Sequence, residues 1–493
     1  MKKRSLWLRT GVAFALMLTL GATPGGRVGP AVPPMAPASP SLPTPAQGVP
    51  ASSPTAPHAG STAPWLLVSD VHFNPFDDAA LVDALDRAPV MHWRGIFERG
   101  GAATSTFFTD TNYALLRSAL KAMQTKAPAP PVVAVAGDFL AHEFPAQYAR
   151  AEPGRTQADY ERFVDKTIAF LASQFDAAFP SAQFVITLGN NDGYCGDYRS
   201  TPSSPFLQHM ADAWQPLVDR GGAAPDFRRD FPAAGYYTAT LPAAGTARAQ
   251  AVVLNSVVWS AKYGNACGDT GSDPGSAELD WLARTLQPSP GAYRWLVGHI
   301  PPSFDQYSSL RADRPVPFMQ PAYAARLTDV ASAAGAHVAT FLLGHVHHAT
   351  FQIVGRPDAS GVPALIVPSI SPVQGSNPAF VTADVDETTG VIRDTTTFVL
   401  PLEVPNASWS KAYSFDAAYG RTAFDAPNLS ALQTALGDSA ALREVFAANY
   451  NSLSTVAAIA PTTWRWYWCA DVYVRPADYA ACVAAAAASG VAR

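Results

Sequence analysis

Charged residues are scarce in this chain of 493 residues, where Asp, Glu, Lys and Arg together make up only 15% of the composition. Soluble domains usually carry about a quarter. The formal net charge is −5 at pH 7, and lysine and arginine do not concentrate in any stripe or block. Binding to a nucleic-acid backbone requires clustered cations that neutralise phosphates. The composition therefore argues against nucleic acid as a dedicated partner.

The N-terminus lacks an apolar run long enough for a membrane span, because residues 10–22 fall short of the ~20 residues that a bilayer requires. This run follows the cationic start Met1-Lys2-Lys3-Arg4 and ends in small residues, which is typical of a secretory signal. We predict that residues 1–22 are a signal peptide that is removed. The mature chain is then periplasmic or secreted, without a stable membrane span. An uncleaved N-terminal anchor is the alternative.

Cysteine is rare, and the four residues Cys195, Cys267, Cys469 and Cys482 do not have the spacing of a zinc knuckle. We therefore do not expect them to bind metal. An even number of cysteines in an exported chain predicts two disulfides, for which three pairings exist. We favour Cys195 with Cys267 and Cys469 with Cys482, because the second pair closes a short local loop.

Composition divides the remaining chain into three segments. Residues 23–63 consist almost entirely of Pro, Ala, Ser, Gly and Thr, which cannot bury enough apolar surface to offset chain entropy, so they are predicted to be a disordered linker. Residues 64–402 carry the patterns of a large folded domain. Residues 403–493 are rich in helix formers, notably over 429–436, 440–448 and 478–488, and are predicted to be a small helical C-terminal subdomain.

Strand and helix patterns alternate through the large domain. Apolar runs predict strands at residues 65–68, 131–136, 184–188, 251–254, 295–297, 341–343, 364–368, 380–385 and 395–400. Helical periodicity predicts a helix capped by Asp110 and further helices at residues 160–175, 277–286 and 322–334. This alternation predicts an α/β (α+β) fold, in which ligands bind beyond the carboxyl ends of the strands.

Polar residues follow five of the predicted strands, each directly after a small residue. The stretch Gly344-His345-Val346-His347 places two imidazoles at positions i and i+2, which an extended backbone points to one side. Asp70-Val71-His72 repeats this spacing with a carboxylate and an imidazole. Three further strands end in Gly-Asp, Gly-Asn and Gly-His pairs. Seven side chains are therefore expected at one rim: Asp70, His72, Asp138, Asn190, His299, His345 and His347.

Seven ligands are too many for one tetrahedral ion and suit two ions that share a bridging carboxylate. A set rich in imidazole, with two aspartates and one amide oxygen, favours zinc, iron or manganese over magnesium or calcium, which prefer oxygen ligands. Two such ions about 3.5–4 Å apart generate a hydroxide at neutral pH and stabilise the oxygens of an in-line displacement at phosphorus. The pattern therefore predicts hydrolysis of a phosphoester.

The order Asp-X-His, Gly-Asp, Gly-Asn, Gly-His and Gly-His-X-His over residues 65–400 resembles that of the calcineurin-like metallophosphoesterases. Residues 137–142 and 298–302 and the exported, disulfide-bearing layout resemble the acid sphingomyelinase-like phosphodiesterase branch. The resemblance implies a four-layer double β-sandwich flanked by helices, with zinc as the usual metal. It also implies that one ion is held by Asp70, His72 and His347, the other by Asn190, His299 and His345, and that both are bridged by Asp138.

One position departs from the family pattern, which normally reads Gly-Asn-His followed by Asp or Glu. The family histidine contacts phosphate and protonates the leaving oxygen, but here the position is Asn191. An amide donates hydrogen bonds to a phosphoryl oxygen and cannot supply a proton near neutral pH. His142 corresponds to a second histidine that the branch places near the leaving group. We predict that His142 alone is the general acid; a structural loop histidine is the alternative.

Together these features predict an exported phosphodiesterase that hydrolyses phosphoesters by attack of a metal-bridging hydroxide. The expected partner is a small phosphoester, such as a nucleotide, a phospholipid headgroup or a simple diester. A phosphomonoesterase or nucleotidase on the same scaffold is one alternative. A binding protein that retains the metals with little turnover is another, because of Asn191. The loops expected to set selectivity, residues 74–101, 193–230 and 303–320, carry no decisive signature.

Overall fold

The structure is a computed structural model that describes residues 61–101, 103–264, 273–289, 291–355, 360–456 and 459–488. The predicted signal peptide and nearly all of the predicted linker lie outside these residues, as does Cys267. The described residues form twelve strands, β1 to β12 in chain order: Thr62–Val68, Val132–Val135, Gln183–Ile186, Tyr237–Leu241, Arg248–Val253, Ala292–Val297, Val338–Leu343, Thr350–Val354, Val362–Ile366, Ala379–Asp386, Ile392–Val399 and Ser410–Ser414.

Helices cover the outer faces of these strands and build most of the C-terminal region. Within the described residues the α-helices, α1 to α15 in chain order, are Val82–Arg87, Trp93–Gly100, Tyr113–Lys126, Phe144–Ala151, Gln157–Ala178, Pro205–Val218, Phe227–Ala234, Pro274–Thr285, Gln306–Ala312, Pro321–Ala334, Phe415–Tyr419, Ala426–Asp438, Ala440–Tyr450, Trp464–Ala470 and Pro476–Ala488. None of the helices in this part of the chain has both the length and the apolar character needed to cross a bilayer.

The strands form two mixed six-stranded sheets. The first sheet has the order β12-β11-β10-β1-β2-β3, and the second has the order β4-β5-β6-β7-β9-β8. Strands β1, β2 and β3 are parallel to one another, as are β5, β6, β7 and β9. These parallel strands are almost wholly buried, as their continuous apolar runs predict. The predicted α/β architecture, a sandwich of two sheets with helices, is confirmed.

The two sheets meet through large side chains from their central strands. Trp65 of β1 and Trp295 of β6 are both almost fully buried, and their ring centroids are 4.5 Å apart. The Trp295 indole donates a hydrogen bond of 2.9 Å to the Gly390 carbonyl, which satisfies its polar group inside the core. Because this packing fixes one sheet against the other, loops from both sheets end at a common edge.

The first strand begins earlier than the sequence suggests, at Thr62 rather than Trp65. Pro64 lies inside β1, where a proline normally weakens a strand because it has no N–H to donate. At Pro64, however, β1 pairs only with β10, and its pairing with β2 starts at Leu66. The missing donor is therefore tolerated, since the N-terminal part of β1 has a partner on one side only.

Asp110 does not cap a helix, so this prediction is wrong. The N-cap of α3 is Asn112, whose side-chain oxygen accepts a hydrogen bond of 3.0 Å from the Leu115 backbone N–H. The carboxylate of Asp110 is engaged elsewhere, because it accepts hydrogen bonds from the backbone N–H of His142 and lies 2.9 Å from the Nδ1 atom of that residue. A tertiary contact has replaced the local one that the sequence suggested.

The C-terminal region packs on the loop that carries His299. The ring of Phe304 stacks on Tyr479 of α15 at 4.1 Å, and the Ser303 hydroxyl donates to the Ala470 carbonyl at 3.0 Å. This region is helical, as predicted, but it also contributes β12 to the edge of the first sheet. The boundary predicted between residues 402 and 403 stays a prediction.

The disulfides agree with the predicted pairing where the structure describes them. Cys469 and Cys482 are joined, with an S–S distance of 1.99 Å, and they link α14 to α15. Cys195 is also disulfide-bonded, while Cys267, its predicted partner, lies outside the described residues.

Removing the bridge between α14 and α15 is expected to destabilise the protein. The double variant Cys469→Ser/Cys482→Ser should lower the free energy of unfolding by about 3 kcal/mol, the value for a closed loop of roughly this length. Urea denaturation of wild type and variant measures the difference. An unchanged unfolding midpoint would show that helix packing alone holds this region.

Candidate metal centre

All seven predicted ligands lie in loops that leave the carboxyl ends of parallel strands. Asp70 and His72 follow β1, Asp138 follows β2 and Asn190 follows β3, in the first sheet. His299 follows β6, and His345 and His347 follow β7, in the second sheet. Since the packed sheets end at a common edge, residues separated by up to 277 positions meet there. The structure brings all seven side chains together in a cluster that is largely buried.

One group within the cluster contains Asp70, His72, Asp138 and His347, whose donor atoms all lie within 4.8 Å of one another. The Nε2 atoms of His72 and His347 are 3.1 Å apart. The Nε2 atom of His72 is 3.3 Å from Asp138 Oδ2, and that of His347 is 3.3 Å from Asp70 Oδ1. Two imidazole nitrogens and two carboxylates therefore face one small volume.

A second group contains Asp138, His299 and His345, also with donor atoms within 4.8 Å. The Nε2 atom of His299 lies 3.2 Å from Asp138 Oδ2 and 3.1 Å from Asn190 Oδ1. Asp138 is thus common to both groups, and its Oδ2 atom faces a histidine of each. The buried His/Asp cluster is consistent with a dinuclear metal site.

Hydrogen bonds fix which nitrogen of two histidines faces the cluster. Nδ1 of His72 lies 3.0 Å from the Leu140 carbonyl, and Nδ1 of His299 lies 2.6 Å from the Ala136 carbonyl. A carbonyl only accepts, so each Nδ1 carries the proton and donates it. Both Nε2 atoms then point inward, which is the orientation that metal-binding histidines require. The donors present therefore fit divalent cations.

Five of the seven residues adopt a left-handed backbone conformation, with φ values of 49° for Asp70, 41° for His72, 55° for Asp138, 72° for His345 and 66° for His347. The extended geometry assumed for the i, i+2 pairs is therefore wrong. Such conformations cost about 1–3 kcal/mol each outside glycine and cluster at functional sites. The chain turns sharply after each strand, and it is this turn that aims the side chains at a common point.

Glycine is required where two of these turns approach each other. A Cβ atom on Gly344 would lie 2.0 Å from the Ser69 hydroxyl oxygen and 2.9 Å from Asp70 Oδ2. A Cβ atom on Gly189 would lie 2.0 Å from Asp138 Oδ1. Neither position has space for a side chain, which explains why glycine precedes His345 and Asn190.

The histidines of the cluster differ in pKa. Burial lowers the pKa of His72, but the carboxylates, Asp138 first, raise it more, to about 10. His299 behaves in the same way: burial lowers its pKa, and Asp138 raises it to about 9. Burial holds the pKa values of His345 and His347 well below the ordinary value, and neighbouring charges on His299 and His72 add to this. Two imidazoles are therefore neutral near pH 7.

Metal uptake is consequently expected to release protons. At pH 7 the metal-free site holds a proton on each of His72 and His299, since their pKa values lie at about 10 and about 9. Coordination requires neutral imidazole, so binding should release about two protons per chain, and affinity should rise with pH until about pH 10, the higher of the two pKa values. Calorimetric titration with zinc in two buffers of different protonation enthalpy measures this number. A release of zero would contradict the assignment of these two ligands.

Asn191 contacts the shared carboxylate. Its backbone N–H donates to Asp138 Oδ1 at 2.8 Å, and its side-chain amide donates to Asp138 Oδ2 at 3.0 Å. Together with His299 and His72, these donors keep the pKa of Asp138 well below its usual range although burial raises it. In this structure Asn191 orients Asp138; the predicted contact with a phosphoryl oxygen stays a prediction.

His142 lies beside the first group and is held by a carboxylate that sequence reasoning missed. Its ring stacks on His72 with 4.1 Å between centroids, and its side chain is 34% exposed. Nδ1 of His142 donates to Asp110 Oδ1 at 2.9 Å. Burial raises the pKa of Asp110, but the hydrogen bond from His142 lowers it more, so the pKa lies below its usual value. Asp110 precedes His142 by 32 residues, and no local spacing links them.

Two further residues support the loops and were not predicted. The Ser256 hydroxyl oxygen accepts hydrogen bonds from the backbone N–H groups of His299 and Ile300, at 3.0 and 2.8 Å. The carboxylate of Asp192 accepts from the N–H groups of Phe139, Leu140 and Gly189, at 2.8, 3.1 and 2.9 Å. Asp192 thereby joins the loop after β2 to the loop after β3. In the sequence, these two residues could have been found from the polar pairs Asn255-Ser256 and Asn191-Asp192, each of which follows a predicted strand.

Comparison with known proteins gives a relative that spans most of the chain. The sequence is 24% identical over 411 residues to acid sphingomyelinase-like phosphodiesterase 3b of Homo sapiens, covering 80% of this chain and 83% of the relative. This chain is a homologue of the acid sphingomyelinase-like phosphodiesterases. This chain is also 23% identical over 322 residues to sphingomyelinase phosphodiesterase D of Dictyostelium discoideum, covering 63% of this chain and 66% of that protein. The resemblance inferred from the motifs is confirmed.

Among solved structures, that of PhoD is similar to this chain. The similarity covers 73% of this chain and 70% of the PhoD chain, at 15% identity and a TM-score of 0.42. No protein-family model matches the sequence.

Proposed function

We propose that the protein is an exported, metal-dependent phosphoesterase that acts on phosphodiesters. The observation that carries this proposal is the position of Asp138, whose Oδ2 atom lies 3.3 Å from His72 Nε2 and 3.2 Å from His299 Nε2. One carboxylate shared by two imidazole-rich groups is the donor arrangement that a pair of divalent ions requires. Two relatives that span most of this chain are named as phosphodiesterases, which supports the same chemistry.

The two groups of donors support the proposal of one ligand set for each ion. One ion would be held by Asp70, His72 and His347, the other by Asn190, His299 and His345, and Asp138 would contact both. When bound, such ions supply stabilisation of negative charge on phosphoryl oxygens and a source of hydroxide at neutral pH. The predominance of imidazole nitrogen supports zinc, and iron or manganese suits the same donors.

His142 is the residue that we assign to protonation of the leaving group. The Nδ1 atom of His142 donates its proton in a hydrogen bond to Asp110, so Nε2 is the atom that can hold and transfer a proton at the site. Asp110 acts as a positioning residue, because its carboxylate accepts from the His142 ring and backbone and so orients the ring. Asn191 donates both of its hydrogen bonds to Asp138, so it contributes orientation of the shared carboxylate and no proton.

Export is part of the proposal because of the cysteines. Cys469 and Cys482 form a disulfide and Cys195 is also disulfide-bonded, and such bridges persist in oxidising compartments. Fractionation of producing cells, followed by N-terminal sequencing of the recovered protein, tests both export and the predicted removal of residues 1–22. Recovery of the full-length chain in the cytoplasm would contradict it.

The preference for diesters is tested with a pair of substrates that share a leaving group. Protein of measured metal content is assayed on bis-p-nitrophenyl phosphate and on p-nitrophenyl phosphate, before chelation, after chelation and after reloading with zinc. We expect kcat/KM to be at least about tenfold higher for the diester, and hydrolysis to disappear and return with the metal. A ratio below 1 would identify a phosphomonoesterase. Two bound ions without hydrolysis of either ester would identify a binding protein.

A further inference from the structure

An exposed lysine, Lys262, lies beside the proposed metal centre. Its Nζ atom is 5.0 Å from the centroid of the Tyr198 ring, a distance that permits a cation–π contact. The Tyr198 ring in turn meets His345 edge to face at 6.1 Å. A positive charge is thus separated from a proposed ligand by one aromatic ring.

The backbone around Lys262 is tied to the loop that carries Tyr198. The Gly264 N–H donates to the Tyr198 carbonyl at 3.1 Å, and the Tyr198 N–H donates to the Asn190 carbonyl at 2.8 Å. Tyr198 has a φ of 56°, which is uncommon for a bulky residue and is held by these contacts. The position of the Tyr198 ring is therefore coupled to that of a proposed metal ligand.

A second aromatic residue completes this side of the site. The Ala261 N–H donates to the Phe318 carbonyl at 2.8 Å, so the segment that carries Lys262 is also bonded to the Phe318 loop. The Phe318 ring meets His345 edge to face at 4.8 Å. Two aromatic rings thus flank His345, and the lysine covers the face of one of them.

The charge of Lys262 is available to a ligand. Lys262 is exposed, and its Nζ atom lies within 4.0 Å of no carboxylate oxygen among the residues that the structure describes. The carboxylate of Asp197, which precedes Tyr198, is engaged by the side-chain amide of Asn190, which donates to it at 2.7 Å. The ammonium group of Lys262 attracts anions and repels cations that approach this side of the site.

We propose that Lys262 makes this site select phosphodiesters that carry a further anionic group, such as a second phosphate, over those that carry a quaternary ammonium group. The inference rests on the proposed phosphoesterase function. An additional anion can pair with the ammonium group. A trimethylammonium group meets a like charge, and the face of Tyr198 that would otherwise bind it is already covered.

Three substrates with one leaving group test this selectivity: the p-nitrophenyl esters of thymidine 5′-phosphate with a 3′-hydroxyl or a 3′-phosphate, and p-nitrophenyl phosphorylcholine. In the metal-loaded protein we expect kcat/KM to be about five- to tenfold higher with the 3′-phosphate than with the 3′-hydroxyl. The choline ester should be at least about fivefold poorer than the 3′-hydroxyl ester. Lys262→Gln should bring the phosphate-to-hydroxyl ratio to about 1, and Lys262→Glu should invert it.

Lys121→Gln removes an equal charge from the exposed face of α3 and should keep the wild-type ratio. Calorimetric binding of thymidine 5′-phosphate and thymidine 3′,5′-bisphosphate measures the same selectivity without turnover. A ratio near 1 in wild type, or one that Lys262→Gln leaves unaltered, overturns the role of Lys262 while hydrolysis of either ester leaves the phosphoesterase function in place. If no ester is hydrolysed, the proposed function is overturned, and the binding ratio alone decides for or against Lys262.

Discussion

Asp138→Asn is expected to lower kcat/KM for bis-p-nitrophenyl phosphate by at least about 10³-fold and bound metal from two ions to at most one per chain. The carboxylate faces His72 and His299 at 3.3 and 3.2 Å and belongs to both groups of donors. Asparagine keeps the shape but offers one neutral oxygen, which cannot neutralise and join two cations. Steady-state kinetics and elemental analysis of the same purified sample measure both effects.

Asp471→Asn is the matched control, because it makes the same change at another buried aspartate. Asp471 accepts a hydrogen bond of 3.1 Å from the Thr350 hydroxyl, and burial raises its pKa well above the usual value. The protonated form is therefore favoured, and asparagine replaces it closely. This variant should keep two ions and at least half of the activity. The bridging role of Asp138 would be refuted if Asp138→Asn kept both ions and more than about a tenth of the activity.

His142→Ala is expected to slow the hydrolysis of an alkyl phosphodiester by about 10²- to 10⁴-fold, the usual contribution of a general acid. With bis-p-nitrophenyl phosphate the loss should be less than about tenfold, because p-nitrophenolate leaves without a proton. The physical basis is the position of His142, which stacks on His72 at 4.1 Å and donates its Nδ1 proton to Asp110. The loss of kcat/KM on the alkyl ester, divided by the loss on bis-p-nitrophenyl phosphate, therefore measures whether His142 acts as the general acid.

Asp110→Asn should give the same dependence on the leaving group with a smaller loss, about ten- to a hundredfold on the alkyl ester, since the ring remains but its orientation is less well fixed. His92→Ala, at an exposed histidine that directly precedes α2, controls for the loss of an imidazole and should behave as wild type. Equal losses on both substrates would mean that His142 serves structure rather than proton transfer.

Every strand that sequence reasoning missed lies at a sheet edge, although the edge strand β3 was predicted from its apolar run. Strand β2 is the apolar run Val-Val-Ala-Val, buried on both faces, and its pattern is visible without any tertiary information. The three missed strands, β4, β8 and β12, all lie at sheet edges. Strand β4 alternates buried and exposed residues, and β12 is mostly exposed, so neither presents an apolar run. Their pairing depends on neighbours that are distant in sequence.

In the candidate site, too, some residues could be predicted from the sequence and others could not. Its seven central side chains follow strong strand patterns, so their meeting at one edge could be predicted. The residues that support them could not, because Asp110 reaches His142 only through the fold and Ser256 binds the backbone after His299. The left-handed backbone at five of the seven positions was also not predicted, since none of them is a glycine, the usual marker of a positive φ. Lys262 lies outside every loop that was expected to set selectivity.

Diffraction from crystals of the zinc-loaded protein, recorded on both sides of the zinc absorption edge, tests the two-metal proposal most directly. Two anomalous peaks per chain are expected, one beside Asp70, His72 and His347 and the other beside Asn190, His299 and His345. Asp138 should contact both peaks. A single peak, or peaks remote from Asp138, would contradict the proposed centre and the hydrolysis that depends on it.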